Sequence, residues 1–371
     1  MDLYRVSAAH LEGFVRSRLL DDAGVRRRVK WLAFALADFL RRRCEDGPDD
    51  FPWVSLVVDK AFPPGGREEE RVYRARLTVL FSRRLTGFEG HAARAREIAA
   101  ELRDSLEDFR RLIAPIRVEA PPQLEDDGVV TFAAYASPRE RLEFEVAVAF
   151  DAVKSVEPRN VGSEVYVRLI SECEREKTPG AFRHCFAYLR QHFFRDRPVK
   201  LKWLVALLRY WFSLCQEKIG DQLPDPAVLD LLAVYAWEAG CGKVRFDLAE
   251  GFGTVLRLIT HYRTLTVHWT RYYDTSHPTV DQCLRSQLAG FGPVVLDPAD
   301  PTLNVAGTNA AAWARLAREA ERWLGARCLW KRRGCQAAYW NVRLNETSTV
   351  GRATRWYAGM NLFSFNLFGE K

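Results

Sequence analysis

No uninterrupted apolar stretch of this chain approaches the about 20 residues that a membrane-spanning helix requires, and Met1–Leu20 carries Asp2, Arg5, Glu12, Arg16 and Arg18 where a secretory signal would be apolar. Neither a membrane-embedded nor a signal-directed protein is expected on those grounds. The expectation is a soluble intracellular protein, cytoplasmic or also nuclear. The eight cysteines lack any C-x-x-C spacing, which argues against a zinc site or a disulfide framework and for free, packed thiols. The seven histidines show neither His-x-x-x-His spacing nor a neighbouring nucleophile motif. His184 stands beside Cys185, but a thiol on the inward face of a helix is read as packing. No internal repeat is present.

What the chain does have is length and bulk. With 371 residues, 48% of them hydrophobic and 12% aromatic, it can bury one large core or two lobes without staples. Its net charge of +7 is modest for this size, so a partner has to be inferred from where the positive residues cluster.

The residue pattern changes once along the chain. Ser7 is placed to cap a helix through about Leu20, and Val25–Arg43 carries Val25, Val29, Leu32, Leu36, Phe39 and Leu40 on one helical face. Short runs rich in β-branched and aromatic residues then predict strands at Trp53–Val58, Val72–Phe81, Val129–Tyr135 and Arg141–Phe150, with one amphipathic helix at Ala92–Leu112 between them. Beyond Ser163 the periodicity is helical, at Glu164–Glu176, Ala181–Phe194, Lys200–Lys218, Pro226–Glu238, Leu248–Tyr262, Pro278–Leu288 and Asn309–Leu324. The fold class is therefore α+β. An α/β lobe with a mixed sheet and two N-terminal helices spans 1–160, a helical lobe spans 161–343, and a divergent, poorly ordered tail spans 344–371.

Pro293–Val305, PVVLDPADPTLNV, sets three prolines around two aspartates after a short strand, which demands a rigid extended turn of the kind that frames a cleft. Asp297 and Asp300 are read as structural groups bonding local amides. This stretch, together with Leu223–Glu238 (LPDPAVLDLLAVYAWE) and Arg197–Lys202 (RPVKLK), resembles the 2′-5′ oligoadenylate synthetase family of double-stranded-RNA-dependent nucleotidyltransferases. The run DPADPTLNVA and Trp340-Asn341-Val342 are most similar to the catalytically inactive, oligoadenylate-synthetase-like branch, and Met1–Tyr4 is similar to an inactive unit of the three-unit synthetase. The resemblance covers about residues 1–343. It implies a two-lobed nucleotidyltransferase fold with any active site in the groove between the lobes.

Nucleotidyl transfer requires divalent metals held by carboxylates. The resemblance implies a Gly-Gly-Ser cradle at Lys60-Ala61-Phe62 and an Asp-x-Asp pair at Arg74-Ala75-Arg76, with the third carboxylate at Glu145. These side chains leave one net positive charge where the family carries three negative ones, which should repel magnesium. The nucleotide side departs as well: Ala206 and Arg209 stand where active members carry Arg and Lys, and Pro226-Ala227 replaces Gln-Tyr. The expectation is a pseudoenzyme without metal or cofactor. Magnesium and ATP belong only to an alternative in which Glu143 with Glu145, or Glu68-Glu69-Glu70, rebuild a site.

Two basic clusters fit duplex RNA. On the first long helix Arg26, Arg27, Lys30 and Arg41 fall away from the apolar stripe, with Ala37 on the same face, Ala33 at its edge and Phe34 a bulky exception. The second comprises Arg190, Arg195, Arg197, Lys200 and Lys202 around Pro198. The resemblance assigns RNA-backbone contacts to Arg41, Arg195 and Lys200, of the kind that read A-form shape. Asp59, Gly65 and Gln191 stand where the family carries basic residues, and Cys328-Leu329-Trp330 replaces a Cys-Phe-Lys oligomerisation motif, which points to a monomer. Antiviral signalling proteins are the implied protein partners, and an RNA-independent scaffold is a further alternative.

Overall fold

The computed structural model describes residues 3–21, 23–44, 52–62, 71–112, 119, 121–153, 161–290, 292–331 and 335–342. The boundary proposed near Lys154–Asn160, Pro63-Pro64, Gly65, the Glu68–Glu70 run and the tail 344–371 lie outside the described residues.

Five strands form one mixed sheet. β1 (Trp53–Ala61) and β2 (Arg71–Phe81) are antiparallel, β2 and β5 (Glu140–Phe150) are parallel, and β4 (Val130–Ser137) and β3 (Gln123–Leu124) complete the order β1-β2-β5-β4-β3. Alternation divides its two faces. Tyr73, Ala75, Leu77, Val79 and Phe81 of β2 share one core with Leu142, Phe144, Val146 and Val148 of β5, covered by α2 (Ala23–Arg43) and α3 (His91–Leu112). Arg74, Arg76 and Thr78 of β2, and Glu143, Glu145 and Ala147 of β5, therefore point the other way, toward the helical lobe.

That lobe is built from α4 (Ser163–Glu176), α5 (Ala187–Arg195), α6 (Val199–Ile219), α7 (Ala227–Gly240), α8 (Leu248–Thr260), α9 (Pro278–Leu288) and α10 (Ala310–Leu324) around a second core that includes Trp211, Phe252 and Trp313. The predicted elements lie within a few residues of the observed ones, although Ala181–Phe194 divides into a 3₁₀ turn, Arg183–Phe186, followed by α5.

The first helix differs from expectation in two ways. α1 (Ala8–Phe14) continues as a π-helical turn, Val15–Leu19, and Ser7 bonds His10 Nδ1 at 2.8 Å without capping an amide. Leu3, Leu11, Phe14 and Val15 are buried in the helical lobe's core, not against the sheet with which the sequence grouped them. The chain thus begins on one lobe and crosses to the other at α2, because its apolar side chains complete the surface presented by α6 and α8.

The proline-rich turn is buried and frames no cleft, with Asp297 and Asp300 only 4% and 0% exposed. β6 (Thr266–Val267) pairs in parallel with β7 (Val294–Val295), and the turn that follows is stitched by side chains. Asp297 Oδ1 accepts from the amides of Ala299 and Asp300, and Asp300 Oδ1 accepts from the Thr302 amide and hydroxyl. Arg190, half of whose surroundings are interior, pairs with Asp297 at 2.8 Å. Burial pushes the Asp300 carboxyl up to about 6, with Asp297 adding to the rise and Thr302 opposing it. A carboxyl raised in the folded state stabilises the fold below its unfolded value, and that contribution is lost as pH rises through 6. Urea unfolding of the wild type between pH 4 and 7 should show a decline of about 3 kcal/mol from this group, absent in Asp300→Asn; parallel curves for the two proteins would refute it.

Candidate functional site

Strand register assembles the centre. Arg76 stands across from Glu145 on β5, Arg74 across from Glu143, and Asp59 of β1 across from Arg74. All five side chains therefore occupy the sheet face turned to α6 and α7. The three positions assigned to metal carboxylates do converge, but as ion pairs. Arg74 Nε lies 3.1 Å from Glu145 and its terminal nitrogen 3.4 Å from Glu143, which also holds Arg141. Arg76 is bonded to Asp59.

Asp59 is the hinge of the network. Its other oxygen meets Arg209 of α6 at 3.0 Å, and Arg209 forks onto Asp230 of α7, Nε to Oδ1 at 2.9 Å. The chain Arg76–Asp59–Arg209–Asp230 thus runs from sheet to helical lobe. Burial alone would raise the Asp59 carboxyl, but Arg209 and then Arg76 outweigh it and hold the group below the usual aspartate value. Burial likewise opposes the Arg209 charge, yet Asp230 and Asp59 raise its affinity for the proton.

The charge argument from sequence needs correction here. Arg74, Arg76, Arg141 and Arg209 face Asp59, Glu143, Glu145 and Asp230, so the centre is balanced in charge and would not repel a cation by net charge. What fails is ligation. Magnesium and calcium need oxygen ligands free to turn toward the ion, and each of these carboxylates is already paired with at least one guanidinium. Among the described residues, no group of three His, Cys, Asp or Glu side chains is placed to hold a metal. The residues present do not fit the two-metal centre of nucleotidyl transfer, and the rebuilt Glu143 and Glu145 site is spent on Arg74 and Arg141.

The phosphate cradle is filled as well. Lys60 turns away to Asp21 at 2.8 Å, and Phe62 packs edge-on against Tyr210 of α6 with centroids 5.5 Å apart. A flexible glycine turn that would bring amides to phosphate is replaced by a strand end and an aromatic ring. Ala206 is half-buried on α6, and Pro226 sits exposed at the head of α7. Cys185 is buried 3.5 Å from His91, not served by His184. Burial pushes that thiol up and the two imidazoles down, His91 to about 4 and His184 to about 3, so no thiolate nucleophile forms.

The basic clusters fare unevenly. Arg26, Arg27, Lys30 and Arg41 are exposed on α2, but Ala33 and Ala37 lie in the core, and the side chains between the cations are instead Trp31 and Phe34, 59% and 60% exposed. In the second cluster Arg195 and Lys202 are exposed, whereas Lys200 is paired with Glu12 at 2.8 Å. Arg190 of α5 and Arg197 of the junction before α6 are structural, holding Asp297 and Glu238. Gln191 bridges the lobes, its amide donating to Leu56 O at 2.9 Å. Cys328 and Leu329 are fully buried, which removes both from any surface contact.

Residues 159–345 match the family described as 2′-5′-oligoadenylate synthetase 1, domain 2, C-terminus. The chain is 38% identical over 341 residues to 2′-5′-oligoadenylate synthase 1A of Rattus norvegicus, covering 91% of this chain and 95% of the relative. It is 33% identical over 346 residues to inactive 2′-5′-oligoadenylate synthase 1B of Mus musculus, covering 92% and 90%. The E. coli MS115-1 CdnC:HORMA-deltaN complex aligns at a TM-score of 0.50 over 86% of this chain and 90% of that one, with 12% identity. The architecture is the two-lobed nucleotidyltransferase fold. Its centre is occupied by arginine–carboxylate pairs. The chain belongs to the 2′-5′-oligoadenylate synthetase family, whose matched relatives carry both active and inactive names. No helix among the described residues is long and apolar enough to cross a membrane.

Proposed function

We propose that this protein is a pseudoenzyme of antiviral defence, a nucleotidyltransferase fold that binds double-stranded RNA without making 2′-5′ oligoadenylate. The observation that carries the loss of chemistry is the pairing of Arg74 with Glu145 and of Arg76 with Asp59 at the positions where the family requires carboxylates free for metal. No cofactor is required. Duplex RNA is favoured by two exposed sets of cations, Arg26, Arg27, Lys30 and Arg41 on α2 and Arg195 with Lys202 at the α5–α6 junction. Lys200 joins them once an incoming phosphate competes with Glu12. Antiviral signalling proteins are its further partners, and it works as a cytoplasmic, or also nuclear, monomer.

One experiment addresses both halves. Purified protein given duplex RNA of about two helical turns, ATP and magnesium should accumulate no 2′-5′ oligoadenylate, and it should bind the duplex in preference to single-stranded RNA and duplex DNA. Reversing Arg195 and Lys202 to glutamate should weaken binding to every duplex sequence about equally and reduce the salt slope by about 2. Product accumulation would overturn the pseudoenzyme, and an unchanged affinity would take this surface out of RNA binding.

A further inference from the structure

Behind the degenerate centre, on the opposite face of the sheet, we propose a metal-independent binding pocket for a short run of phosphates, of the size of inorganic triphosphate. It rests on neither the loss of synthesis nor the binding of duplex RNA.

The placement follows from strand parity. Lys60 pairs with Tyr73 across β1 and β2, and Arg71 shares the Tyr73 face, so both project away from Asp59, Arg74 and Arg76. They meet the π-helical turn Val15–Leu19, which presents Arg16, Ser17 and Arg18 from the other side. The resulting pocket encloses about 290 Å³. That is at the lower edge of the roughly 300–1,000 Å³ of small-molecule sites, room for a phosphate chain and little more.

Charge selects the ligand. Among the described residues, Arg16, Arg18, Lys60 and Arg71 line the pocket against one carboxylate, Asp21. Asp21 lies 2.8 Å from Lys60 and 4.0 Å from Arg71, so it fixes the direction of two cations while leaving most of the positive charge unspent. Glu140, buried beneath, anchors Arg71 at 3.8 Å and is itself held by Arg28, which keeps the floor rigid. Arg16 is propped over the Trp203 ring at 5.9 Å. Arg18 has no ion-pair partner among the described residues. Convergent guanidiniums match phosphate oxygens in forked geometry, and they supply the countercharge that a divalent ion would otherwise bring. Among the described residues Leu20 is the one apolar side chain in the lining, and no aromatic ring lines it for a nucleobase to stack on. The chemistry therefore favours a phosphate chain over a nucleoside.

Titration calorimetry of the full chain with inorganic triphosphate, in the presence of EDTA, should show one saturable site that weakens with salt. Arg16→Glu with Arg18→Glu should lower the affinity about tenfold or more, and Arg18→Gln alone about threefold. Both arginines are exposed, so the variants should keep the wild-type melting temperature to within a few degrees. Reversal of Arg195 and Lys202 should leave triphosphate binding unchanged, which separates this site from the duplex surface. Absence of saturable binding at millimolar triphosphate would overturn the proposal, as would equal affinity in the double variant. Displacement of triphosphate by a duplex RNA lacking terminal phosphates would also overturn it, by assigning these cations to an RNA-binding surface.

Discussion

Arg209→Ala should destabilise the protein by about 3 kcal/mol, the largest single-residue effect expected outside the apolar cores. Removal of the guanidinium leaves Asp59 and Asp230 on opposite lobes, with side chains only 25% and 12% exposed and no shared countercharge. Breaking a largely buried pair from one side costs more than the pair contributes, because the remaining charges stay desolvated. Asp59 also loses the guanidinium that depresses it most, so its proton affinity should rise and acid should become less damaging to the variant than to the wild type. In the wild type a depressed carboxyl contributes stability above its unfolded value, lost as pH falls through the folded one. Urea denaturation at pH 7.5 and at about pH 3, below the ordinary aspartate value, measures both effects. Loss of less than about 1 kcal/mol at pH 7.5 would mean that the interlobe network is ornamental. The triple change Asp59→Asn, Arg209→Met, Asp230→Asn removes all three charges together and should recover most of the loss.

Arg74→Asp with Arg76→Asp should turn an indifferent protein into one that depends on divalent cations. Asp59, Glu143 and Glu145 would then lose the guanidiniums that occupy them, on the same sheet face as two new carboxylates. In chelator the variant should melt well below the wild type through like-charge repulsion. Magnesium or manganese at about 100 times its dissociation constant should return about 2.7 kcal/mol, whereas the wild type should show no response. Even so, the variant should make no 2′-5′ oligoadenylate, because Lys60-Ala61-Phe62, with Phe62 packed on Tyr210, still stands in place of the Gly-Gly-Ser cradle. Metal-insensitive melting would contradict the geometry drawn for this face, and product formation would show that the cradle is dispensable.

Much of the fold was legible in sequence for simple reasons. Helices such as α4, α8 and α10 carry a 3.6-residue apolar stripe, α7 is apolar all round, and β2 and β5 carry alternation strong enough to divide their two faces. Arg74, Arg76 and Pro226 enter the comparison with the family's motifs through residue identity alone, which a sequence displays directly. The partners of those arginines are not displayed in that way. Asp59 gains its role from antiparallel register with Arg74, and Asp230 was visible only as a lone acid within the apolar run Leu229–Trp237. The burial of Ala33 and Ala37 was missed because both lie on the border of the apolar stripe, where a few degrees of helix rotation against the sheet decide the outcome.

The sequence by itself determined the class of each element, the split into a mixed sheet and a helical lobe, and the presence of arginine at 74 and 76 beside a carboxylate at Glu145, because all three depend on local periodicity or side-chain identity. Tertiary structure alone decided that the first helix serves the second lobe's core, and that Arg190, Arg197 and Lys200 are engaged within the protein. It likewise decided that Arg74 and Arg76 are paired with carboxylates from β1 and β5. Those outcomes depend on which surfaces meet. Ion pairs and burial are set by distances between residues far apart in the chain, which no local pattern records.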